Sequence, residues 1–223
     1  MSARVWEILK NAFFRILIPG IKVTIPLTAA SFALAFVISV IVAIIQYANV
    51  KGLKQLSRFY IWIIRGTPLL VQLYIVFYGL PSIGILLDAI PAAILVFGFN
   101  EGAYMAESMR GALEAVPKGQ IEAGYCVGMN YVQIMRRIVL PQALRTAFPS
   151  LSNSLISMVK GTSMAATITV VEMFREAQII NAIYYEPLWL YLEAGFFYLM
   201  FCTVLTWLQS YGEKKLGSYG GVK

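Results

Sequence analysis

Residues 23–50 contain no charged side chain, and this run restricts the possible folds more than any other feature. About 20 consecutive apolar residues in a helix cross the hydrocarbon core of a bilayer. The run is therefore long enough for one membrane-spanning helix. Charged residues make up only 13% of the chain, whereas a typical soluble domain has about 25%. The sequence predicts an all-α integral membrane protein.

Four further apolar stretches predict additional spans, which gives about five in a single domain covering residues 1–223. The predicted spans are approximately residues 23–48, 66–87, 89–112, 144–170 and 188–210. Residues 1–22 mix charged and apolar side chains, and this pattern predicts an amphipathic helix on the membrane surface. A disordered terminus is the alternative interpretation of residues 1–22.

Basic residues concentrate in the short connections between predicted spans. Connections rich in Lys and Arg usually lie on the cytoplasmic side of the membrane, so they indicate the orientation of the chain. Three basic clusters fall on one side: Lys51, Lys54 and Arg58; Lys118, Arg136, Arg137 and Arg145; Lys214 and Lys215. They predict a multi-pass protein with its N-terminus outside and its C-terminus in the cytoplasm, although the N-terminal segment is itself basic. The net charge of +7 thus indicates contact with membrane lipid and gives no support for a nucleic-acid partner.

The residue inventory argues against an enzyme. The absence of histidine excludes Ser-His-Asp and Cys-His catalysis and histidine metal sites, and we predict neither catalytic residues nor a metal site. A single aspartate, Asp88, excludes an aspartyl dyad within one chain. Ser157 and Lys160, three residues apart, are the remaining candidate pair for a hydrolase. Cys126 and Cys202 are expected to be free thiols.

Residues 118–145 form a basic, polar segment between apolar stretches. Helical spacing of apolar residues predicts a helix over approximately residues 119–137. Gly124 and Gly128, four residues apart, are predicted to lie on one side of it and to leave backbone open to another surface. Pro141 is expected to end this helix or to start the next. A solvated loop without a partner is the alternative.

This segment resembles the EAA loop of ABC-importer permeases: Glu-Ala-Ala, three residues, Gly, nine residues, Ile, one residue, Leu-Pro. The matching positions are Glu122, Ala123, Gly124, Gly128, Ile138, Leu140 and Pro141, with Gly124 in place of the second alanine. Residues 65–69, 103–107, 119–120, 140–143 and 160–163 look like permeases of the histidine/glutamine/cystine branch of type I ABC importers, and residues 78–81 with 84–85 look most like its cystine members.

The resemblance implies a type I permease fold in the bacterial inner membrane, with residues 119–137 as the coupling helix. That helix, including Arg136, docks on a separate ATPase that binds ATP and Mg²⁺. This chain contains no nucleotide-binding motif and is expected to hold no cofactor. An extracytoplasmic binding protein delivers the amino acid. The permease pairs with a second permease chain, an identical copy or a different one.

The resemblance also implies that the substrate meets the middle of the third span and the start and middle of the fourth. The matching residues are Asn100, Glu101, Tyr104, Asn153, Ser154, Ser157, Met158, Gly161 and Thr162. Members that carry cationic amino acids tend to have an acid where Ser154 stands, and many have an aspartate where Gly161 stands. Without these acids a zwitterionic substrate is expected, with Glu101 meeting its ammonium group. Alternatively, Asn100, Glu101 and Tyr104 only pack the helix interface.

Cystine is the favoured substrate, and glutamine, histidine or another polar amino acid is the alternative. A membrane channel or scaffold without ATP coupling is the alternative from another functional class.

Overall fold

A computed structural model describes residues 3–217, and these residues form helices joined by short turns, with no strand among them. The all-α prediction is therefore confirmed. The ends of the predicted domain, residues 1–2 and 218–223, lie outside the described residues. The helices are α1 (Ala3–Tyr47), α2 (Leu53–Gly66), α3 (Leu69–Ile83), α4 (Ala89–Glu114), α5 (Lys118–Cys126), α6 (Tyr131–Ile168), α7 (Met173–Tyr184) and α8 (Pro187–Gly217).

Within residues 3–217, three helices are long and apolar enough to cross a membrane alone, namely α1, α4 and α8. Two further spans arise if each bent pair counts as one: α2 with α3, bent by 103°, and α6 with α7, bent by 49°. The arrangement of five spans stays a prediction.

The amphipathic helix predicted for the N-terminal segment is present at Ala3–Pro19, and it is continuous with the first predicted span. Its position on the membrane surface stays a prediction. Helix α1 comprises Ala3–Pro19, a π-helical turn at Gly20–Thr24, and Ile25–Tyr47. The segment is amphipathic, as its sequence indicates, but its apolar face is buried against α7 and α8 rather than in lipid alone. Periodicity identifies such a face without revealing what covers it.

Helices α1 and α4 pack closely because glycines on α4 admit side chains of α1. A Cβ atom on Gly98 would lie 2.5 Å from Leu34 Cδ2, and one on Gly102 would lie 3.0 Å from Ile38 Cγ2. Both residue numbers rise together along the contact, so the two helices are parallel. Small residues allow such close approach between membrane helices.

Helix α6 runs antiparallel to α4, since Ser150 in the middle of α6 donates a hydrogen bond of 2.8 Å to Ser108, whereas Ser154, further along α6, reaches Glu101, earlier on α4. The end of α8 lies beside the middle of α6, where a Cβ on Gly212 would be 2.5 Å from the Phe148 ring. The ends of α4 and α8 therefore lie together, with the first half of α6 beside them. We call this end of the bundle, which carries the basic clusters, the basic end.

The second predicted span, residues 66–87, is broken. Thr67 is extended, and Pro68 both lacks an N–H and disfavours a helical residue before it. Helix α3 then continues through Leu69–Tyr74, a π-helical turn at Ile75–Gly79 and a 3-10 turn at Leu80–Ile83. It ends there because Gly84 adopts a left-handed conformation with φ of 85°.

Residues 172–186, between the last two predicted spans, are largely the packed helix α7. The Glu172 carboxylate is buried (0% exposed) and accepts hydrogen bonds from the backbone N–H groups of Phe174 (2.9 Å) and Arg175 (2.7 Å). The Tyr198 hydroxyl of α8 donates to the same carboxylate. An ion pair of 2.7 Å between Arg15 and Glu176 joins α1 to α7.

Substitution of Gly98 by alanine is expected to destabilise the protein, because the new Cβ collides with Leu34. Such overpacking costs about 1–3 kcal/mol. The midpoint of thermal unfolding of the purified chain in detergent measures the effect.

Gly111→Ala is the matched control on the same helix, since a Cβ there would meet nothing within 4 Å. Its midpoint is expected to equal or exceed that of the unsubstituted chain. Equal midpoints for the two variants would contradict the close α1–α4 contact.

Candidate substrate path and coupling surface

A side-chain clamp holds the break between α2 and α3. The Gln72 amide nitrogen donates to the Ile64 carbonyl (2.8 Å) and to the Thr67 hydroxyl (2.8 Å). Asn100 on α4 donates in turn to the Gln72 amide oxygen at 3.0 Å. The clamp therefore fixes the ends of both half-helices to the middle of α4. Broken helices of this kind occur in membranes where the backbone lines a cavity or is buried in protein.

Opposite charges lie beside this break. The Arg65 side chain is exposed, and its guanidinium carbon lies 5.0 Å from the centre of the Tyr104 ring, within cation–π range. Glu101 precedes Tyr104 by one turn of α4, and Ser154 on α6 is within hydrogen-bonding reach of its carboxylate. None of the ion pairs in residues 3–217 includes Arg65 or Glu101. A polar, charged surface thus lies halfway along α4.

The structure separates the predicted substrate residues by exposure. Exposed or half-buried are Glu101, Tyr104, Asn153, Ser154, Ser157 and Gly161; buried are Asn100, Met158 and Thr162. Asn100 is engaged by Gln72, and the Thr162 hydroxyl donates to the Val159 carbonyl at 2.7 Å. In this conformation the buried three residues form the framework behind the polar surface.

Sequence reasoning missed Arg65 and Gln72. Arg65 belongs to the motif at residues 65–69, but no role was assigned to its charge. A cation next to Gly-Thr-Pro at the edge of an uncharged run was the available signal. Nothing in the sequence pairs Gln72 with Asn100.

The prediction of one continuous helix over residues 119–137 is wrong, because α5 ends at Cys126 and α6 begins at Tyr131. The coupling role of this segment stays a prediction. Gly128 turns the chain with φ of 80°. Its N–H donates to the Tyr125 carbonyl (2.9 Å), and the Met129 N–H donates to the Gly124 carbonyl (3.0 Å). These two bonds form a Schellman motif, which a left-handed glycine makes possible.

Gly124 is buried against its own chain, so the prediction that both glycines open backbone to a partner is wrong. A Cβ on Gly124 would lie 2.9 Å from Ile134 Cγ1 and 3.3 Å from Ile138 Cδ1. This contact gives a physical reason for glycine where the EAA pattern has alanine.

The start of α6 is built by local side-chain bonds. Asn130 accepts a hydrogen bond from the Gln133 N–H, and Gln133 accepts one from the Asn130 N–H, both at 2.9 Å. These reciprocal bonds form a capping box. Pro141 does not end the helix, because it follows the π-helical turn Met135–Val139 and lies in the first turn of Leu140–Gly161. Gln142 donates to Gln120 and so links α6 to α5.

The turn between α5 and α6 presents an exposed surface at the basic end, which we call the coupling surface. Its polar and small members include Glu122, Ala123, Gly128 and Arg136, whereas Ile138 and Leu140 are half-buried behind it. Exposed apolar members are Tyr125, Val127, Tyr131 and Val132. An apolar patch rimmed by polar groups is typical of a protein–protein contact.

Other candidate chemistry is sparse in the described part of the chain. Residues 3–217 contain no group of three His, Cys, Asp or Glu side chains that could hold a metal ion. Cys126 and Cys202 are free thiols. No hydrogen bond joins Ser157 to Lys160 within the same residues, so the hydrolase alternative gains no support.

A helical bundle with a charged break at mid-height and an exposed turn at the basic end fits a membrane permease. Residues 35–218 match the family model "Binding-protein-dependent transport system inner membrane component", and the chain belongs to this family. It is accordingly an inner membrane component of a transport system that depends on a binding protein.

Several known proteins are similar over most of their length. The L-cystine transport system permease protein TcyB of Bacillus subtilis (strain 168) is 42% identical over 215 residues, which is 96% of this chain and 92% of TcyB. The octopine transport system permease protein OccM of Rhizobium radiobacter is 41% identical over 196 residues, covering 84% and 80% of the two chains.

Solved structures share the fold. A crystal structure of an amino acid ABC transporter with histidines matches with a TM-score of 0.87 and 29% identity, covering 96% of this chain and 100% of the other. An inward-facing structure of the MetNI methionine ABC transporter matches with a TM-score of 0.74 at 19% identity, covering 97% and 99%. The predicted type I ABC permease fold is confirmed.

Gly128→Ala is expected to destabilise the turn that presents the coupling surface. Left-handed backbone costs a residue with a Cβ roughly 1–2 kcal/mol. Thermal unfolding of the purified chain measures the loss.

Gly119→Ala on α5 is the control, since a Cβ there would meet nothing within 4 Å and the backbone is helical. If Gly128→Ala unfolded at the same temperature as Gly119→Ala, the left-handed turn would be refuted.

Proposed function

We propose that the chain is the transmembrane permease subunit of an ATP-driven ABC importer that moves a polar amino acid, with cystine favoured, into the cell by alternating access. The observation that carries this proposal is the pair of opposite, unpaired charges, Arg65 and Glu101, beside a helix break halfway along the bundle. Similarity to the L-cystine permease TcyB supports cystine. Glutamine, histidine or another polar amino acid is the second candidate within this class.

The charges of Arg65 and Glu101 are complementary to the α-carboxylate and α-ammonium groups of a free amino acid. The guanidinium of Arg65 suits the α-carboxylate, because its planar donors match two carboxylate oxygens. The carboxylate of Glu101 suits the α-ammonium group. Ionisable groups at this depth are costly unless a partner or a polar cavity meets them, so a zwitterion would satisfy both at once.

The same surface disfavours cationic side chains. Ser154 supplies a hydroxyl, and Gly161 supplies no side chain. A Cβ on Gly161 would meet nothing within 4 Å, so open space lies there. A substrate with a second positive charge would lack a carboxylate partner in this space.

A second permease chain would cover the charged break. The exposed residues of the single chain include Arg65, Gly66, Thr67 and Pro68. Contact of this charged, non-helical segment with lipid in the middle of the bilayer would be unfavourable. An identical copy is the simpler partner, and a different permease chain is the alternative. The substrate path then lies between the two chains.

The coupling surface would dock on an ABC ATPase, which binds ATP and Mg²⁺, while the binding protein delivers the amino acid at the opposite end. The C-terminus would lie in the cytoplasm and the N-terminus outside, because the three basic clusters share one end of the bundle. ATP-driven closure of the ATPases would shift the permease between its two states through differential affinity.

The test is ATPase activity of the complex reconstituted from this chain, its ATPase and its binding protein, with cystine, glutamine, histidine and arginine as substrates. Strong stimulation by cystine alone is expected, and its loss in Glu122→Lys is expected because the docking charge is reversed. Stimulation mainly by arginine would contradict the zwitterion assignment. ATP-independent flux through an assembled complex would favour a channel, the alternative from another functional class.

In that assay, Arg65→Gln and Glu101→Gln are each expected to raise the substrate concentration for half-maximal stimulation about tenfold or more. A hydrogen bond to a charged group contributes about 1.5–3 kcal/mol. Lys51→Gln, which removes an exposed charge far from the break, is the control. Unchanged half-maximal concentrations in both variants would mean that these residues only pack the helices.

Gly161→Asp is expected to raise the response to arginine relative to cystine, because it places a carboxylate in open space. Gly161→Asn has nearly the same size without the charge and is expected to leave the ratio unchanged. Equal ratios in the two variants would show that this space does not meet the substrate.

A further inference from the structure

A polar pocket of 280 Å³ opens at the basic end, between the end of α1, the start of α2 and the end of α4. Every residue that lines it carries a charge or an amide: Gln46, Lys54, Arg58, Glu107, Arg110 and Glu114. Arg110 in this pocket lies nine positions after Glu101 on α4, roughly 14 Å along the helix, and the pocket shares no residue with the coupling surface. Neither the substrate path nor the coupling surface uses this pocket.

The turn between α1 and α2 shapes the pocket. Asn49 and Gly52 adopt left-handed conformations with φ of 55° and 82°, which reverses the chain. The Asn49 side-chain oxygen then accepts a hydrogen bond of 2.7 Å from the Lys54 ammonium group. Lys54 is thereby positioned while two of its three donors remain available.

The charges of the pocket do not balance. Arg110 donates to Glu107 at 3.1 Å and to Glu114 at 2.7 Å, so one cation already engages both carboxylates. Within residues 3–217, Lys54 and Arg58 make no ion pair. The six lining residues therefore carry three positive and two negative charges, with the surplus on the α2 side.

Gln46 adds a buried donor on the α1 side. Its side chain is only 8% exposed, and its amide nitrogen has no hydrogen-bond partner. A buried donor without a partner is unfavourable and uncommon in native structures. An acceptor that enters between Gln46, Lys54 and Arg58 would satisfy the amide and neutralise the surplus charge together.

We propose that this pocket binds a phosphate group. Three donors on two helices suit a multi-oxygen anion better than a single acceptor, and both arginine and lysine bind phosphate. The group could come from a phospholipid headgroup or from free phosphate. Leu53, Leu56 and Phe59 on α2 are exposed beside the pocket and suit acyl chains, which favours the lipid source. The proposal is independent of what the protein transports.

The experiment uses the purified full-length chain, delipidated in detergent. Phosphatidylglycerol binding is titrated by native mass spectrometry, and inorganic phosphate binding by the shift in thermal unfolding. Lys54→Gln and Arg58→Gln are each expected to weaken binding about fivefold, the effect of one basic residue on an anionic lipid. Lys51→Gln removes an exposed charge that does not line the pocket, and it is expected to leave the affinity unchanged.

Gln46→Leu provides an independent check. It is expected to weaken binding while raising the unfolding temperature of the ligand-free chain, because it removes the unpaired donor. Pocket-dependent binding of phosphatidylglycerol alone would identify the lipid source, and pocket-dependent binding of inorganic phosphate alone would identify the soluble one. Equal affinities in Arg58→Gln and Lys51→Gln, or no binding of either probe, would overturn the proposal.

Discussion

The structure depends on satisfying the backbone where α2 breaks. Lipid offers no hydrogen bonds, so each unmet N–H or C=O group within a bilayer costs several kcal/mol. Here the Gln72 amide nitrogen donates a hydrogen bond to the Ile64 carbonyl, and the Thr67 hydroxyl donates one to the Ile63 carbonyl at 2.9 Å. Asn100 completes the arrangement from α4. These bonds hold the break against the middle of α4, where the Arg65 guanidinium lies over the Tyr104 ring.

The same rule governs the other irregular points. At the start of α7, the buried Glu172 carboxylate accepts hydrogen bonds from two backbone N–H groups and from the Tyr198 hydroxyl. At the turn after α5, Gly128 lets the last carbonyls of the helix find partners. At each of these three points a few specific side chains satisfy the backbone, and the helices between them support sites that differ in chemistry.

Much of this architecture follows from the sequence, because apolar length and basic clusters are local signals. The all-α class, the boundaries of α4 and the resemblance of residues 122–141 to a coupling motif needed no structure. The division of the coupling segment at Gly128 became evident only from the structure. The residues on both sides favour a helix, and the sequence does not show that this glycine is left-handed. The sequence indicated Glu101 and Tyr104 as candidate substrate residues, and their role stays a prediction. The clamp of Gln72 and Asn100 could not be predicted, because the two residues are 28 positions apart in the sequence.

Helix α6 joins the coupling surface at Tyr131 to the polar surface at Ser154 and Gly161 in one continuous helix with a π-helical turn at Met135–Val139. At 1.5 Å per residue it is roughly 55 Å long, so a tilt of about 5° about its middle displaces each end by about 2.5 Å in opposite directions. Its crossing with α4 at the Ser150–Ser108 hydrogen bond supplies a fulcrum. A small stroke delivered to the coupling surface would thus reach the middle of the bilayer mechanically, without local unfolding in between.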